Sequence, residues 1–338
     1  MFFSKPASLL SVSLACFTLL ASPLTQAVQR THVSAAFGSD ANTATNCTAA
    51  APCRFFAAAM TVTDTNGEVI VLDSGGYGAV TITKSLALIA PTGVYAGISV
   101  FPGADGVTIA TPNVNVVLRG LSINGQGGND GINMTAGNSL TVENCVISNL
   151  AVRGINVDGV IDVNITDSIV RRNGNLGISL RNGVTATITR AVVSGNASNG
   201  IRVLGNLAST TTADIADSTM DGNTGAVYAL STNATAVVKV SVRDSRAVRN
   251  SASGLIAQSS GGAAVAFSAS NNIVSNNSDV GISAISNGVT MIASGNTVTN
   301  NVNSGLLNSG AVFESAGNNT VRRNGVNISG TITAVGTN

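Results

Sequence analysis

The sequence predicts an all-β solenoid, a single domain in which short parallel strands stack turn upon turn. Composition supports this class, because Gly and Asn number 37 each, Val, Ser and Thr are common, and charged residues make up only 10%. A small residue followed by an apolar one recurs at intervals of 20 to 29 residues from Gly131 onward. The composition also changes little after residue 65, which favours one repeated unit over two domains.

Residues 1–27 have the features of a secretory signal peptide, with Lys5 near the start, an apolar stretch and a cleavage position after Ala27. A membrane anchor is the alternative, but Pro23 interrupts the apolar stretch and no charged stop-transfer flank follows it. No later segment reaches the ~20 apolar residues of a membrane span. We therefore expect export, to the periplasm, the cell surface or the medium.

Residues 28–65 are expected to form an N-terminal cap. Cys47 and Cys53 frame the sequence CTAAAPC, and an oxidising compartment favours a disulfide between them. Metal ligation is the alternative, although two thiols without a nearby His make an incomplete site. A short helix within residues 52–63 would cover the open end of the solenoid with a face made of Phe56, Ala59, Met60 and Thr63.

Residues 66–338 contain the repeat. Each unit alternates apolar and polar residues three times, which predicts three short strands per turn and about ten to eleven turns in all. The units open at the pairs Gly131-Ile132, Gly154-Ile155, Gly177-Ile178, Gly200-Ile201, Gly225-Ala226, Gly254-Leu255, Gly281-Ile282, Gly305-Leu306 and Gly325-Val326.

Aligning the units by these pairs gives columns of similar residues, which we expect to stack from turn to turn. An apolar column from Ile147 to Val321 points inward, and so does a column of small or polar residues that begins at Cys145 and makes its thiol an inert buried group. Asn suits a bend because its amide both donates and accepts along a ladder spaced about 4.8 Å, and because it tolerates a left-handed backbone. The predicted ladder consists of Asn173, Asn196, Asn223, Asn250, Asn277, Asn301 and Asn324.

With three strands per turn and Asn ladders, residues 66–338 resemble the right-handed parallel β-helix proteins of the pectate-lyase-like superfamily. Residues 75–90, GGYGAVTITKSLALIA, resemble an early turn of that family, with Gly-x-Tyr before one strand and Lys-Ser before the next. The resemblance implies a right-handed parallel β-helix. It also implies a groove beside the strand that opens each unit, where enzymes of this superfamily usually act on polysaccharides.

The groove implied by this resemblance contains neither a carboxylate nor an imidazole in its outward column. The motifs of polygalacturonases (Gly-His-Gly, Arg-Ile-Lys), of alginate epimerases (Asp-Pro-His-Asp) and of pectin methylesterases (a Trp motif) are missing from the sequence. We therefore assign no catalytic residue and no metal site from these motifs. The outward column is predicted as Asn133, Asn156, Ser179, Arg202, Val227, Ile256, Ser283, Leu307 and Asn327.

Charged residues flank the opening strands of four successive turns and form the best candidate site. In a calcium-dependent lyase, Arg153 or Arg202 would abstract a proton while Asp side chains hold Ca²⁺. A solvated face with cross-turn ion pairs, each worth under about 1 kcal/mol, is the alternative that we favour. The site consists of Asp130, Arg153, Asp158, Asp162, Arg181 and Arg202, expected within about 15 Å of each other.

Two functions remain open. The first is an exported, non-catalytic β-helix protein without a cofactor, a surface or adhesive protein that contacts a polysaccharide or cell-surface glycan. The second is a polysaccharide lyase or related enzyme that acts on acidic glycans, with Ca²⁺ as its cofactor. The groove column lacks His and paired carboxylates and the chain has no Trp, and these observations favour the first function.

The net charge and the last turn add two expectations about partners. A formal net charge of +1 with scattered Arg residues excludes nucleic-acid binding, which needs a continuous basic surface. Residues 329–338, SGTITAVGTN, contain no capping helix, so the strand edges of the last turn would stay open. We therefore predict either a fraying tail or end-to-end self-association.

Overall fold

The computed structural model describes residues 1–2 and 28–336 and confirms an all-β parallel solenoid of about eleven turns. Apart from Met1 and Phe2, the predicted signal peptide lies outside the described residues. Three parallel sheets run along the rod, and each turn of the chain adds one strand to each sheet. Strands are numbered in chain order from β1 to β35.

Sheet A has 13 strands and extends furthest toward the N-terminus. Its strands are β1 Arg30–Val33, β2 Gly67–Val71, β5 Leu86–Ile89, β8 Asn115–Arg119, β11 Ser139–Glu143, β14 Asp162–Thr166, β17 Thr185–Thr189, β20 Thr210–Ala216, β23 Val237–Arg243, β26 Ala264–Ser270, β29 Val289–Ser294, β32 Val312–Ser315 and β35 Thr333–Ala334.

Sheets B and C have 11 strands each. Sheet B consists of β3 Gly75–Gly76, β6 Ala96–Val100, β9 Leu121–Gly125, β12 Val146–Ser148, β15 Ile169–Arg171, β18 Val192–Ser194, β21 Thr219–Asp221, β24 Arg246–Val248, β27 Ile273–Ser275, β30 Thr297–Thr299 and β33 Thr320–Arg322. Sheet C consists of β4 Val80–Ile82, β7 Val107–Ala110, β10 Asp130–Ala136, β13 Arg153–Asp158, β16 Ile178–Arg181, β19 Ile201–Gly205, β22 Val227–Ser231, β25 Leu255–Ser259, β28 Ile282–Ile285, β31 Ser304–Ser309 and β34 Val326–Ser329.

The core is one continuous stack of β-branched and small side chains along the rod axis. Alternation places every second strand residue inside, so that Ile165 pairs with Val142 and Ile188 on the neighbouring turns and all three are fully buried. The predicted apolar column is confirmed from Ile147 through Val298, and Val321 is partly buried against the same core. Cys145 is likewise buried, and burial raises the pKa of its thiol to about 11.

The Asn ladder is confirmed, but its members do not have the left-handed backbone that the sequence predicts for them. Asn196 Nδ2 donates to Asn223 Oδ1 at 2.8 Å, and the backbone N–H of Asn196 donates to the same oxygen at 3.0 Å. The left-handed residue comes one position earlier, at Arg172 (φ 55°) and Gly195 (φ 63°). The ladder Asn is therefore required for its amide hydrogen bonds, and the residue before it makes the bend.

The glycine that opens most units is required by close packing between turns. A Cβ atom at Gly177 would lie 2.5 Å from the carbonyl oxygen of Gly200 and 2.6 Å from Val193 Cγ1. Both distances are too short for a carbon contact, and one of the atoms belongs to the backbone. Gly154, Gly254, Gly281 and Gly305 have the same kind of neighbours.

The N-terminal end is covered by a 3-10 helix, Asp40–Thr45, and by one short α-helix, α1, Phe56–Val62. The predicted helix is confirmed, with Phe56 and Ala59 buried against the core and Phe56 in contact with Tyr77 (ring centroids 5.3 Å apart). Cys47 and Cys53 form the predicted disulfide. Within residues 1–2 and 28–336, no helix is long and apolar enough to cross a membrane.

Candidate functional site

The outer face of sheet C carries two columns of side chains that run along the rod, and we call it the C face. Its first column follows the inward apolar residue at the opening of each turn, and it contains Thr108, Asn133, Asn156, Ser179, Arg202, Tyr228, Ile256, Ser283 and Leu307. The second column lies two residues further along each strand and contains Asp158, Arg181, Leu204, Leu230, Gln258 and Ile285.

The strand register corrects two positions of the predicted outward column, Val227 and Asn327. In the last turn, Leu307 pairs with Ser329 and not with Asn327. Val227 pairs with Ile201 and is fully buried in the core, whereas Tyr228 pairs with Arg202 on the outside. The alignment failed because Ala226, and not Gly225, occupies the close-packed opening position of this turn, as its carbonyl accepts from Ile201 N–H at 2.9 Å. The size of Tyr228 predicts that its side chain points outward, since a core of small side chains has little room for a phenol ring.

At its N-terminal end, the C face carries a hydrogen-bonded polar network. Asn133 Nδ2 donates to Asp105 Oδ2 at 2.7 Å, and Asn156 Nδ2 donates to Asn133 Oδ1 at 2.9 Å. Arg153 donates through Nη1 to Asn156 Oδ1 at 2.9 Å and binds both oxygens of Asp130, with Nη2 to Oδ2 at 2.7 Å and Nε to Oδ1 at 3.0 Å. Burial raises the pKa of Asp130, and the bidentate contact with Arg153 opposes that shift.

A second ion pair joins the next two turns, because Arg181 Nη2 lies 2.8 Å from Asp158 Oδ2. The predicted candidates Asp130, Arg153, Asp158 and Arg181 thus come together as two cross-turn pairs on this face. Asp162 does not join them, since it opens β14 in sheet A and its side chain is exposed. The chain bends from sheet C into sheet A between Asp158 and Asp162. Spacing along the sequence does not specify the position of this bend, which is why the sequence predicts the wrong face for Asp162.

Arg202 occupies the centre of the C face. Among the described residues it forms no ion pair, and its buried Nε atom lacks a hydrogen-bond acceptor. The Oγ atom of fully buried Ser179 on the preceding strand and the Nε atom of Arg181 are also buried without a partner. Burial, followed by the charges of Arg181 and Arg153, lowers the pKa of the Arg202 guanidinium.

Beyond Arg202 the C face becomes aromatic and mainly apolar, with Gln258 and Ser283 as its polar members. Tyr228 is half-buried beside Arg202, and its hydroxyl donates to Gln258 Oε1 at 2.5 Å. Burial raises the pKa of Tyr228, and the charge of Arg202 opposes that shift. The columns continue with the partly exposed side chains of Ile256, Leu230 and Ile285.

A second charged column lies at the bend after sheet A and has different geometry. Arg190 binds both carboxylate oxygens of Asp167, with Nε to Oδ1 at 2.7 Å and Nη2 to Oδ2 at 2.8 Å, and both side chains are exposed. Asp167, Arg190, Asp217 and Asp244 all have a left-handed backbone near φ 50°. Within the described chain, no three His, Cys, Asp or Glu side chains are grouped so that they could hold a metal ion.

Comparison with known proteins agrees with this architecture. The family model "Right handed beta helix region" matches residues 57–216 and 153–326. A search of curated proteins returned no match.

Several solved structures share the fold. The pectate lyase Pel9A has 15% sequence identity and a TM-score of 0.53, over 92% of this chain and 78% of its own. The periplasmic alginate epimerase AlgG has 11% identity and a TM-score of 0.54, over 80% and 77%. The GH136 lacto-N-biosidase from Eubacterium ramulus has 10% identity and a TM-score of 0.54, over 90% and 68%. The chain therefore belongs to the right-handed β-helix family, with the pectate-lyase-like fold.

Proposed function

We propose that the protein is exported and binds a glycan along the C face without catalysing its cleavage. The observation that carries the proposal is the order of side chains on this face: amides and guanidinium groups come first, then Tyr228, and then mainly apolar residues. Sugar rings combine hydroxyl groups with apolar C–H faces, and binding sites for them combine a few polar groups with aromatic and apolar surface. The three similar structures are named as a pectate lyase, an alginate epimerase and a lacto-N-biosidase, which supports a glycan as ligand.

The state of the carboxylates supports a binding role over hydrolysis. Glycoside hydrolysis generally uses two carboxyl groups that flank the scissile bond, one of them able to donate a proton. On the C face, Asp130 is almost fully buried and held at both oxygens by Arg153, and Asp158 is paired with Arg181. The third carboxylate, Asp105, accepts at one oxygen from the backbone N–H of Asp130 and at the other from Asn133 Nδ2. None of the three is free to reach a glycosidic oxygen while these contacts persist.

Affinity electrophoresis in gels that contain single polysaccharides tests the proposal. We expect at least one polysaccharide to retard the wild-type protein, and Tyr228→Ala to weaken that retardation, because aromatic contact area is lost. Thr187→Ala, an exposed change on the outer face of sheet A, is the control and should leave the retardation unchanged. If a broad panel of neutral and acidic polysaccharides leaves the mobility unchanged, the protein does not bind glycans through this face.

A lyase remains the second candidate because burial and the neighbouring arginines lower the pKa of Arg202, which is the direction that a proton-abstracting arginine needs. This version predicts unsaturated products from acidic polysaccharides in the presence of Ca²⁺. It also predicts that Arg202→Ala and Arg153→Ala abolish their formation. Ultraviolet absorbance of the product distinguishes the candidates, since our proposal predicts binding with no product.

Export is part of the proposal. The Cys47–Cys53 disulfide supports it, because such bonds persist in oxidising compartments. Intact mass measurement of the exported protein tests the predicted cleavage, with an N-terminus at Val28 as the expected result.

A further inference from the structure

The unpartnered groups around Arg202 are all hydrogen-bond donors or hydroxyls. They are Ser179 Oγ and Arg181 Nε on β16 and Arg202 Nε on the adjacent strand β19, and all three are buried without an acceptor among residues 28–336. Residues on neighbouring strands lie about 4.8 Å apart, and alternate residues of one strand about 7 Å apart, so the three groups share a small patch. Buried donors without acceptors destabilise a fold and are rare, so three in one patch indicate that a ligand supplies the acceptors.

The charges of the patch indicate the sign of the charge on that ligand. Asp130 and Asp158 are already paired with Arg153 and Arg181, whereas Arg202 forms no ion pair with any described residue. Within this patch the charge of Arg202 is therefore uncompensated and partly withdrawn from water. Guanidinium N–H groups cannot accept hydrogen bonds, so the occupant must be an acceptor, and the surplus charge favours an anion.

We propose that Ser179, Arg181 and Arg202 form an oxyanion subsite on the C face, which takes one carboxylate or sulfate group of an acidic glycan. A planar guanidinium binds such a group through two parallel N–H donors. Arg202 is half-buried, so rotation of its end group brings an Nε–H edge to the ligand. Arg181, whose side chain is 23% exposed, keeps Nη2 on Asp158 and donates to the ligand from Nε. The Ser179 hydroxyl, at the base of the patch, donates to the same group.

The location fits a repeating polymer. Tyr228 pairs with Arg202 on the following strand, and Asn156 pairs with Ser179 on the preceding one. A charged group bound at Arg202 therefore leaves the attached ring next to the phenol of Tyr228 on one side and next to amide groups on the other. This inference rests on the proposed function, because it names the class of glycan that the C face would bind.

Three probes with one backbone test it: dextran, carboxymethyl-dextran and dextran sulfate of matched length, in affinity electrophoresis at fixed ionic strength. We expect one or both anionic polymers to bind at least tenfold more tightly than dextran. The polymer that binds more tightly shows whether the subsite prefers a carboxylate or a sulfate group. Arg202→Gln should reduce that affinity about tenfold or more, and Ser179→Ala by a few-fold. Arg171→Gln removes an equal charge from the exposed last residue of β15 in sheet B and should change the affinity less than twofold.

Arg202→Lys is the control for a folding defect, because it keeps the positive charge and loses only the paired N–H donors. It should retain an intermediate affinity, and in wild-type protein the Nε–H NMR signal of Arg202 should shift on addition of the anionic polymer. Equal effects of Arg202→Gln and Arg171→Gln would overturn the subsite and reduce it to general charge attraction. Tight binding of a neutral polysaccharide that Arg202→Gln does not change would overturn the subsite but not the proposed function. If no polysaccharide binds at all, the proposed function itself is wrong.

Discussion

At the scale of single residues, Asp73 fixes the N-terminal cap to the first turn of the solenoid. Its carboxylate accepts from Ser34 Oγ at 2.6 Å, from the backbone N–H of Ala35 at 2.6 Å and from the Tyr77 hydroxyl at 2.5 Å. Burial acts to raise the pKa of Asp73, but the hydrogen bonds from Ser34, Tyr77 and the backbone lower it to about 2. The Tyr of the Gly-x-Tyr motif in the sequence is therefore a structural partner of this carboxylate.

The lowered pKa of Asp73 predicts a pH dependence of stability. The group is ionised in both folded and unfolded chains above about pH 4, so its stabilisation is complete there. Between about pH 4 and pH 2 the unfolded chain takes up the proton first, and the stabilisation is lost as the pH falls through the folded value near 2. Asp73→Asn should lower the free energy of unfolding at pH 7 by about 1.5–3 kcal/mol and flatten its dependence on pH below 4.

Denaturant unfolding at several pH values, monitored by circular dichroism, provides the measurement. Asp214→Asn, on the exposed outer face of sheet A, serves as the control and should change stability by less than about 0.5 kcal/mol. A wild-type protein whose stability between pH 4 and 2 runs parallel to that of Asp73→Asn would contradict the assignment.

At the scale of elements, the Asn ladder joins successive turns at the bend between sheets B and C. Asn223 Oδ1 accepts from both the side chain and the backbone of Asn196, and its Nδ2 donates to the Val193 carbonyl at 2.9 Å. Asn223→Ala would leave these buried groups without partners and should destabilise the protein by about 3 kcal/mol. Asn164→Ala, which removes an exposed amide from the outer face of β14, should cost less than about 0.5 kcal/mol. Urea denaturation of both variants tests the difference, and equal losses would mean that the ladder adds no stability.

The opening glycines give a steric prediction for the same stack. Gly177→Ala would press a methyl group against the Gly200 carbonyl at 2.5 Å and against Val193 Cγ1 at 2.6 Å. Because a backbone atom cannot move aside without displacing the next turn, we expect a loss of about 1–3 kcal/mol. Gly76→Ala is the matched control, since its nearest neighbour, the Gly97 carbonyl oxygen, lies 4.0 Å away. Thermal unfolding should therefore separate the two variants, and an unchanged midpoint for Gly177→Ala would contradict the packing argument.

The same elements show what the sequence could predict. Columns at constant phase determine which residues stack, so the core, the ladder and the buried Cys145 follow from periodicity alone. The alignment fails at Tyr228 because Gly225 and Ala226 are both small and either satisfies the repeat. The ion pairs of Arg153 and Arg181 depend on side-chain conformations across turns, which spacing along the chain does not specify. The same holds for Arg202, which forms no ion pair within the part of the chain that the structure describes.

At the scale of the whole molecule, stability in a solenoid is the sum of contacts between neighbouring turns. Interior turns are packed on both sides, and the N-terminal turn is covered by α1 and the disulfide loop. The last described turn is packed on one side only, so that Val326 and Ile328 are 52% and 53% exposed, whereas Ile282, two turns earlier, is fully buried. The free energy of local opening should therefore be lowest at β33, β34 and β35.

Hydrogen exchange followed by mass spectrometry tests this gradient together with the predicted behaviour of the C-terminal end. We expect amides of β33–β35 to exchange at least tenfold faster than those of β19–β25, because a local opening there breaks contacts with one neighbouring turn instead of two. End-to-end association would cover the open edges, so it predicts protection of these strands that increases with protein concentration. Fraying predicts fast exchange at every concentration. Slow, concentration-independent exchange in β33–β35 would contradict both, and would mean that the last turn is held by contacts other than stacking on its neighbour.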